Sequence, residues 1–248
     1  MLIVLPPSET KATGGDGAPL DLDRLWLPEL REIRDRLVDE VIALSVDPEA
    51  ARRALGIGAG REDLLAINAA LREAPTLPAI RRYTGVLYDA LDIGTMPKAA
   101  RARADHRLAV GSALFGAVAA SDPIPAYRLS AGSSLPGSPT LRARWSPDLT
   151  EALVDAAKDR LVIDLRSGGY RQLGPIPDAV TVTVLTEHAD GSRTVVSHFN
   201  KHHKGVLARI LAGSRAEPDS ARAVAVIARR AGLRVEIAAP TELVVLTD

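Results

Sequence analysis

An α+β domain on a mixed sheet is what this sequence predicts, and three features predict it. Apolar runs of strand length, above all Leu2–Leu5 and residues 161–165, are spread along the chain. Amphipathic helical stretches separate them, and no strict strand–helix–strand repeat relates one to the next. The expected architecture is one compact domain over residues 1–248, α+β or irregular α/β. It has a mixed β-sheet and flanking helices.

Taken in order, Leu2–Leu5 reads as a buried strand delivering the polar loop PPSETK at 6–11, ahead of a Gly-rich segment at 12–19. Residues 28–45 carry Leu30, Ile33, Leu37, Val41 and Leu44 at helical spacing behind Pro28, an amphipathic helix. Helices over 47–54 and 61–72 flank LGIGAG at 55–60. That is the outline of a helix-hairpin-helix element, whose backbone at Gly56 and Gly58 can face a DNA phosphate; a plain helix–helix connection has the same outline.

Residues 79–92 put Tyr88 and Leu91 on one helical face, with Gly85 as a candidate helix start. Met96-Pro97 opens a helix through 104, and small residues at 111–116 imply tight packing or a loop close to a ligand. A long irregular segment from Pro123 to Gly137 carries Tyr127 and Arg128. Ser146 and Pro147 read as the cap and first residue of a helix to 160. The strand at 161–165 ends in RSGGY at 166–170, the kind of strand end where open α/β sheets bind ligands. Val180–Glu187 and 194–199 read as a hairpin about Asp190-Gly191, and 219–231, 234–238 and 243–246 as a closing helix and two strands.

Composition narrows the functions. Lys plus Arg and Asp plus Glu both number 31, so nothing pulls the whole molecule toward nucleic acid or a membrane, and a basic site has to be local. With no cysteine, disulfides and thiolate chemistry are excluded. No apolar stretch has the length of a bilayer span, and residues 2–5, stopped by two prolines, do not resemble a signal peptide. The expectation is a cytoplasmic protein with no membrane partner. Arg occurs 26 times and Lys five times, which makes each lysine a rare choice.

Two of those lysines lie in the stretch SHFNKHHKGVLARIL at 197–211. Between Gly191 and Ala216 there is no Asp or Glu, whereas Arg193, Lys201, Lys204, Arg209, Arg215 and three of the five histidines fall there. With Asn200 as N-cap, Lys201 and Lys204 stand in a first helical turn, where the helix dipole disfavours cations and favours an anion. An anion-binding wall and a solvated basic surface both fit. An iron site on His198, His202 and His203 lacks neighbouring carboxylates, and adjacent Ser197 and His198 in a strand point to opposite faces. Neither a metal nor a cofactor is expected.

Seven motifs then occur in order: PPSETK at 6–11, YTGVLYDAL at 83–91, SALFG at 112–116, YRLSAG at 127–132, WSPDLTEAL at 145–153, VIDLRSGGY at 162–170 and FNKHHKGVLAR at 199–209. Together they resemble the YaaA family of peroxide stress proteins over nearly the whole chain. The resemblance implies a cytoplasmic bacterial protein that protects against hydrogen peroxide by limiting free iron and the oxidative damage it drives. It also implies a fold particular to the family, with a positively charged cleft and a helix-hairpin-helix element linked to duplex DNA. Ser8 and Lys11 in the loop, Tyr88, Arg128, Ser167, Tyr170, Lys201 and Lys204 stand at positions the family pattern shares. There are departures: Ala119-Ala120 stands where the family has Arg-Pro, Phe115 replaces a Tyr, and His202-His203 replaces a Lys-Ala type pair.

Two functions are expected of such a chain. One is duplex DNA held by its phosphates at Gly56, Gly58, Lys201 and Lys204. The other is an enzyme, or a binder, for a small anionic, nucleotide-like compound. Ser8, Lys11, Tyr88, Arg128, Ser167, Tyr170, Lys201 and Lys204 would line that site, with Lys11, Tyr88 and Tyr170 as the candidate catalytic groups. The residues imply no particular reaction.

Overall fold

The apolar run at the N-terminus is strand β1 (Leu2–Leu5), and it lies in the middle of the sheet rather than at an edge. The computed structural model describes residues 1–58, 60–195 and 200–247. All four residues of β1 are buried, and their alternation divides them between two apolar layers. Ile3 and Leu5 join the main core, while Leu2 and Val4 pack with Ala109, Ala157, Val162 and Ala179.

After β2 (Leu77–Pro78), the strand β3 (Leu108–Ser112) pairs in parallel with β1 and is flanked by antiparallel β4 (Gly116–Ala119). A short β5 (Pro123–Ile124) pairs only with β2. On the other side of β1 lie β6 (Val162–Asp164) and β7 (Val180–Glu187), both parallel. The strand β8 (Arg193–Val195) folds back on the far end of β7. The sheet ends with β9 (Arg234–Ala239) and β10 (Glu242–Thr247), where β10 is parallel to β7 and antiparallel to β9. The order β4-β3-β1-β6-β7-β10-β9, with β8 on β7, makes a mixed sheet of eight strands in an α+β fold, as expected.

The helices are α1 (Arg31–Leu44), α2 (Pro48–Leu55), α3 (Asp63–Ala69), α4 (Ala79–Arg82), α5 (Val86–Leu91) and α6 (Lys98–Arg107). They continue with α7 (Leu141–Trp145), α8 (Asp148–Ala156), α9 (Gly168–Leu173), α10 (Asn200–Gly213) and α11 (Ala221–Arg230). Helix α1 buries Leu37, Val38 and Val41 as its periodicity requires, but also Arg34. That guanidinium donates to the carbonyls of Trp26, Leu27, Phe115 and Ala117 at 2.7 to 3.0 Å, so one buried cation ties α1 to β4 through backbone acceptors.

Three local expectations are corrected. Ser146 does not cap α8. It closes α7 in extended backbone, ψ 135°, donating its N–H to the Arg142 carbonyl, and Pro147 takes the cap position of α8. Asn200 is the first residue of α10 rather than its cap, and its Oδ1 is buried without a partner. The helix predicted over 61–72 shortens to Asp63–Ala69. The hairpin's second strand is described only for Arg193–Val195. The predicted roles of Ser197, His198 and Phe199, and of Ala59 in the Gly-rich turn, lie outside the described residues.

Helix α10 packs across α5, α6 and β7, and its position depends on Gly205. A Cβ there would run into the carbonyl oxygen of Leu87 and come within 2.8 Å of the Ala90 Cβ. Gly205→Val is therefore expected to lower stability by about 2–3 kcal/mol through overpacking of α10 on α5. A denaturant midpoint equal to that of the native chain would refute this account of the contact.

Candidate functional site

Strand order opens the site. From β1 the chain moves to β3 on one side, and from β6 it moves to β7 on the other, so the loops leaving the carboxyl ends of β1 and β6 diverge and leave a crevice between them. The PPSETK loop forms one wall, the RSGGY turn the second, and the first turn of α10 the third. The predicted residues fall into three neighbouring hollows. Ser167, Tyr170, Lys201 and Lys204 line a cleft of about 430 Å³. Ser8, Tyr88 and Lys201 border one of about 260 Å³. Lys11, Arg128, Gly56 and Gly58 surround a third of about 280 Å³.

In the largest cleft Lys201 is exposed, whereas Lys204 reaches inward and donates to the Leu165 carbonyl at 3.1 Å. Burial, reinforced by the nearby Arg171 charge, pushes the Lys204 amine down to about 8, against the pull of Asp164. Beneath the turn, Asp164 and Arg166 form a buried bidentate ion pair at 2.9 and 2.7 Å, and Arg166 also donates to the Gly174 carbonyl. This pair holds the RSGGY backbone that presents Ser167 and Tyr170. Tyr170 is partly buried, which raises its phenol above the usual range. Ser167 is exposed and stands at the N-cap position of α9 without making a side-chain cap.

Tyr88 anchors the loop. Its hydroxyl donates to the Pro6 carbonyl at 2.8 Å, and its ring stacks on Tyr83 with centroids 5.6 Å apart. Desolvation holds its phenol well above the ordinary value, so it is a neutral donor and not a base. Ser8 shares a 3.1 Å hydrogen bond with Thr10. Gly85, with φ 96°, starts α5 as the sequence suggested, and comes close to the hydroxyls of Thr10 and Ser8.

Lys11 is sunk where the loop meets the core. Its Nζ donates to the Ser8 carbonyl at 3.0 Å and lies 4.1 Å from the Tyr127 ring centroid and 5.4 Å from that of Tyr83. The two phenols bond each other at 2.8 Å, and Tyr127 bonds Ser112 at 2.7 Å. Phe115, at a position where the resemblance implies Tyr, is buried edge-on against Tyr127. Burial is the main reason the Lys11 amine falls to about 7, and the Arg128 charge adds to it.

Arg128 is fixed by a residue the sequence did not single out. Asn68 on α3, fully buried, accepts from the Arg128 N–H at 2.7 Å and donates to its carbonyl at 2.9 Å. The Arg128 guanidinium in turn holds Glu9 at 2.9 Å. Glu9 was also missed, although an acid set between Ser8 and Lys11 in a cationic neighbourhood was the available signal. Its carboxyl is held below the usual range first by the hydrogen bond from Arg128, then by the charges of Arg128, Lys201 and Lys11. It borders all three hollows.

At the Gly-rich turn, Gly56 has φ 62° and spends its N–H on the Arg52 carbonyl as the C-terminal cap of α2. Arg61 and Arg52, beside this turn, are paired with Asp63 and Glu62. His202 and His203 contact each other edge-on at 5.4 Å, and partial burial with the His202 charge lowers His203. Among the described residues no helix is long and apolar enough to cross a membrane.

Comparison with known proteins places this geometry among relatives. The profile of a family described as peroxide stress protein YaaA matches residues 1–235. A UPF0246 protein of Corynebacterium efficiens is 54% identical over 241 residues, covering 96% of this chain and 95% of the relative. A UPF0246 protein of Corynebacterium glutamicum is 53% identical over 240 residues, 95% of each chain. One from Streptomyces coelicolor is 43% identical over 247 residues, 98% of this chain and 94% of the relative.

Proposed function

The chain belongs to the peroxide stress protein YaaA family, and from that premise we propose that it serves the peroxide response by binding a small anionic, nucleotide-like compound in the cleft at the carboxyl ends of β1 and β6. Less iron-driven oxidative damage is the outcome of that binding. The observation that carries this reading is Lys204. Its amine is largely buried, faces the cleft and is bonded to a carbonyl rather than a carboxylate, so its charge is uncompensated at close range until an anion enters. Lys201 at the rim adds a second cation, and Tyr170 offers a ring face and a hydroxyl.

Isothermal titration with nucleoside monophosphates and with inorganic phosphate tests the reading. The double variant Lys201→Ala, Lys204→Met is expected to lose roughly tenfold to a hundredfold in affinity, the worth of charge-assisted hydrogen bonds. Equal affinity in native and variant chains, or no anion binding by the native chain at millimolar ligand, would sink it.

A second reading is duplex DNA bound through phosphates, and the exposure of Lys201 and Gly58 favours it, since a duplex can meet only groups at the rim. The turn between α2 and α3 is the candidate helix-hairpin-helix contact. In that case duplex binding falls steeply with salt and weakens in Lys201→Ala.

A further inference from the structure

We infer that Lys11 is a covalent ligand-binding residue, whose amine forms an imine with a small aldehyde or keto compound bearing a carboxylate or phosphate, seated in the hollow between the PPSETK loop and the α2–α3 turn. This goes beyond the binding proposed above, which concerns the neighbouring cleft of Lys201 and Lys204.

Four observations converge on it. Among the described residues no carboxylate forms a salt bridge with Lys11, because the nearest acid, Glu9, is taken by Arg128. The amine is instead held by one carbonyl and two aromatic faces, contacts that fix its position and leave its nitrogen free to react. The hollow beside it is small, about 280 Å³, and presents Ile57, Leu64, Ile67 and Ala126 along with polar groups, which suits a compact organic acid. Arg128 lines the same hollow, with its Nε buried and without a hydrogen-bond partner, and is the natural anchor for the ligand's anionic group. A lysine that is desolvated and stands beside a second cation is the arrangement that activates amines toward carbonyls. The charged groups facing the amine are Arg128, Glu9 and Arg82, and the two cations and the burial outweigh the one acid, leaving much of it neutral near pH 7.

The step balances without an outside oxidant. The nitrogen lone pair attacks the carbonyl carbon and the carbonyl π pair moves to oxygen. A proton passes from nitrogen to that oxygen to give a carbinolamine. Protonation and loss of the hydroxyl as water leaves the C=N bond.

The test treats the full-length chain with glyoxylate and sodium cyanoborohydride near pH 7, the reductant delivering hydride to the imine carbon and fixing it as a carboxymethyl amine. Modified peptides are read by mass spectrometry. Five lysines make the assignment simple. Lys11 is expected to be modified on the order of tenfold or more faster than exposed Lys98 and Lys158, since its amine is desolvated and stands beside the Arg128 charge. The Lys11 rate should rise up to about pH 7 and level off. Arg128→Gln should slow glyoxylate at Lys11 more than it slows acetaldehyde, which has no anionic group and loses only the part of the reactivity that the Arg128 charge gives the amine. Because the selectivity is read in the native chain, it does not depend on any variant folding. Lys98 and Lys158 reacting as fast as Lys11 would overturn the inference, whether or not nucleotides bind in the neighbouring cleft.

Discussion

Replacing Asp164 by Ala is expected to cost about 3–5 kcal/mol of folding stability, because it strands a buried guanidinium. Asp164 and Arg166 side chains are 2% and 1% exposed, and each guanidinium contact with the carboxylate is direct. The remaining donor bonds, to the Gly174 carbonyl at 2.9 Å and the Tyr170 carbonyl at 3.5 Å, cannot offset the lost charge. Urea unfolding of Asp164→Ala against the native chain measures this, with the double variant Asp164→Leu, Arg166→Met as its partner. The double variant should recover much of the loss, since removing both charges is far cheaper than removing one. A single-variant loss below about 1 kcal/mol would mean that water reaches Arg166 and that the pair does not hold the turn.

The second large effect is expected from Lys11→Met, and its sign depends on pH. Burial lowers the Lys11 amine to about 7 in the folded chain, against about 10.4 unfolded. Below pH 7 the amine is charged in both states and the folded chain bears the whole cost of burying it. Between those values the unfolded chain holds more protons, so native stability rises with pH until the cost is gone. Methionine carries no such cost. Lys11→Met should therefore be more stable than the native chain at pH 6, by about 2–4 kcal/mol after allowing for the lost ring contacts, and the difference should shrink toward pH 9.5. Parallel stability curves for the two proteins across that range would show that Lys11 is not desolvated. A residue that lowers stability in this way is of the kind retained for function rather than for the fold.

What the sequence made legible follows from how local each signal is. Leu2–Leu5 is readable as a continuous apolar run cut by two prolines, and 161–165 as an apolar stretch broken only by Asp164 ahead of the Gly pair of RSGGY. The place of β1 between β3 and β6 is a long-range pairing that no local pattern carries, and it is what creates the crevice. The loop residues Ser8 and Lys11 and the RSGGY turn were picked out for their chemistry. The division into three hollows was not visible, because it depends on Arg128 reaching across the fold to Glu9. Arg34, Asn68 and the buried pairing of Arg166 are hidden from the sequence for a common reason: a polar residue in an apolar pattern reads as solvent-facing, and only the folded backbone shows which carbonyls and amides it must satisfy. Ser146 reads as a cap of α8 because the residue that closes one helix and the residue that caps the next share the extended backbone it adopts, and the local pattern does not show that α7 ends there.

Glu9 bears on all three hollows at once. Its side chain is 71% exposed, yet its charge is spent on Arg128. An anion that takes Arg128 releases this carboxylate to the rims of the other two hollows, where its field repels a second anion. An anion bound at Arg128 would thus lower anion affinity in the neighbouring hollows, and thermodynamic reciprocity would require the same factor in the other direction. The loop that lines all three hollows would make them compete for anions, with Glu9 as the one side chain they share.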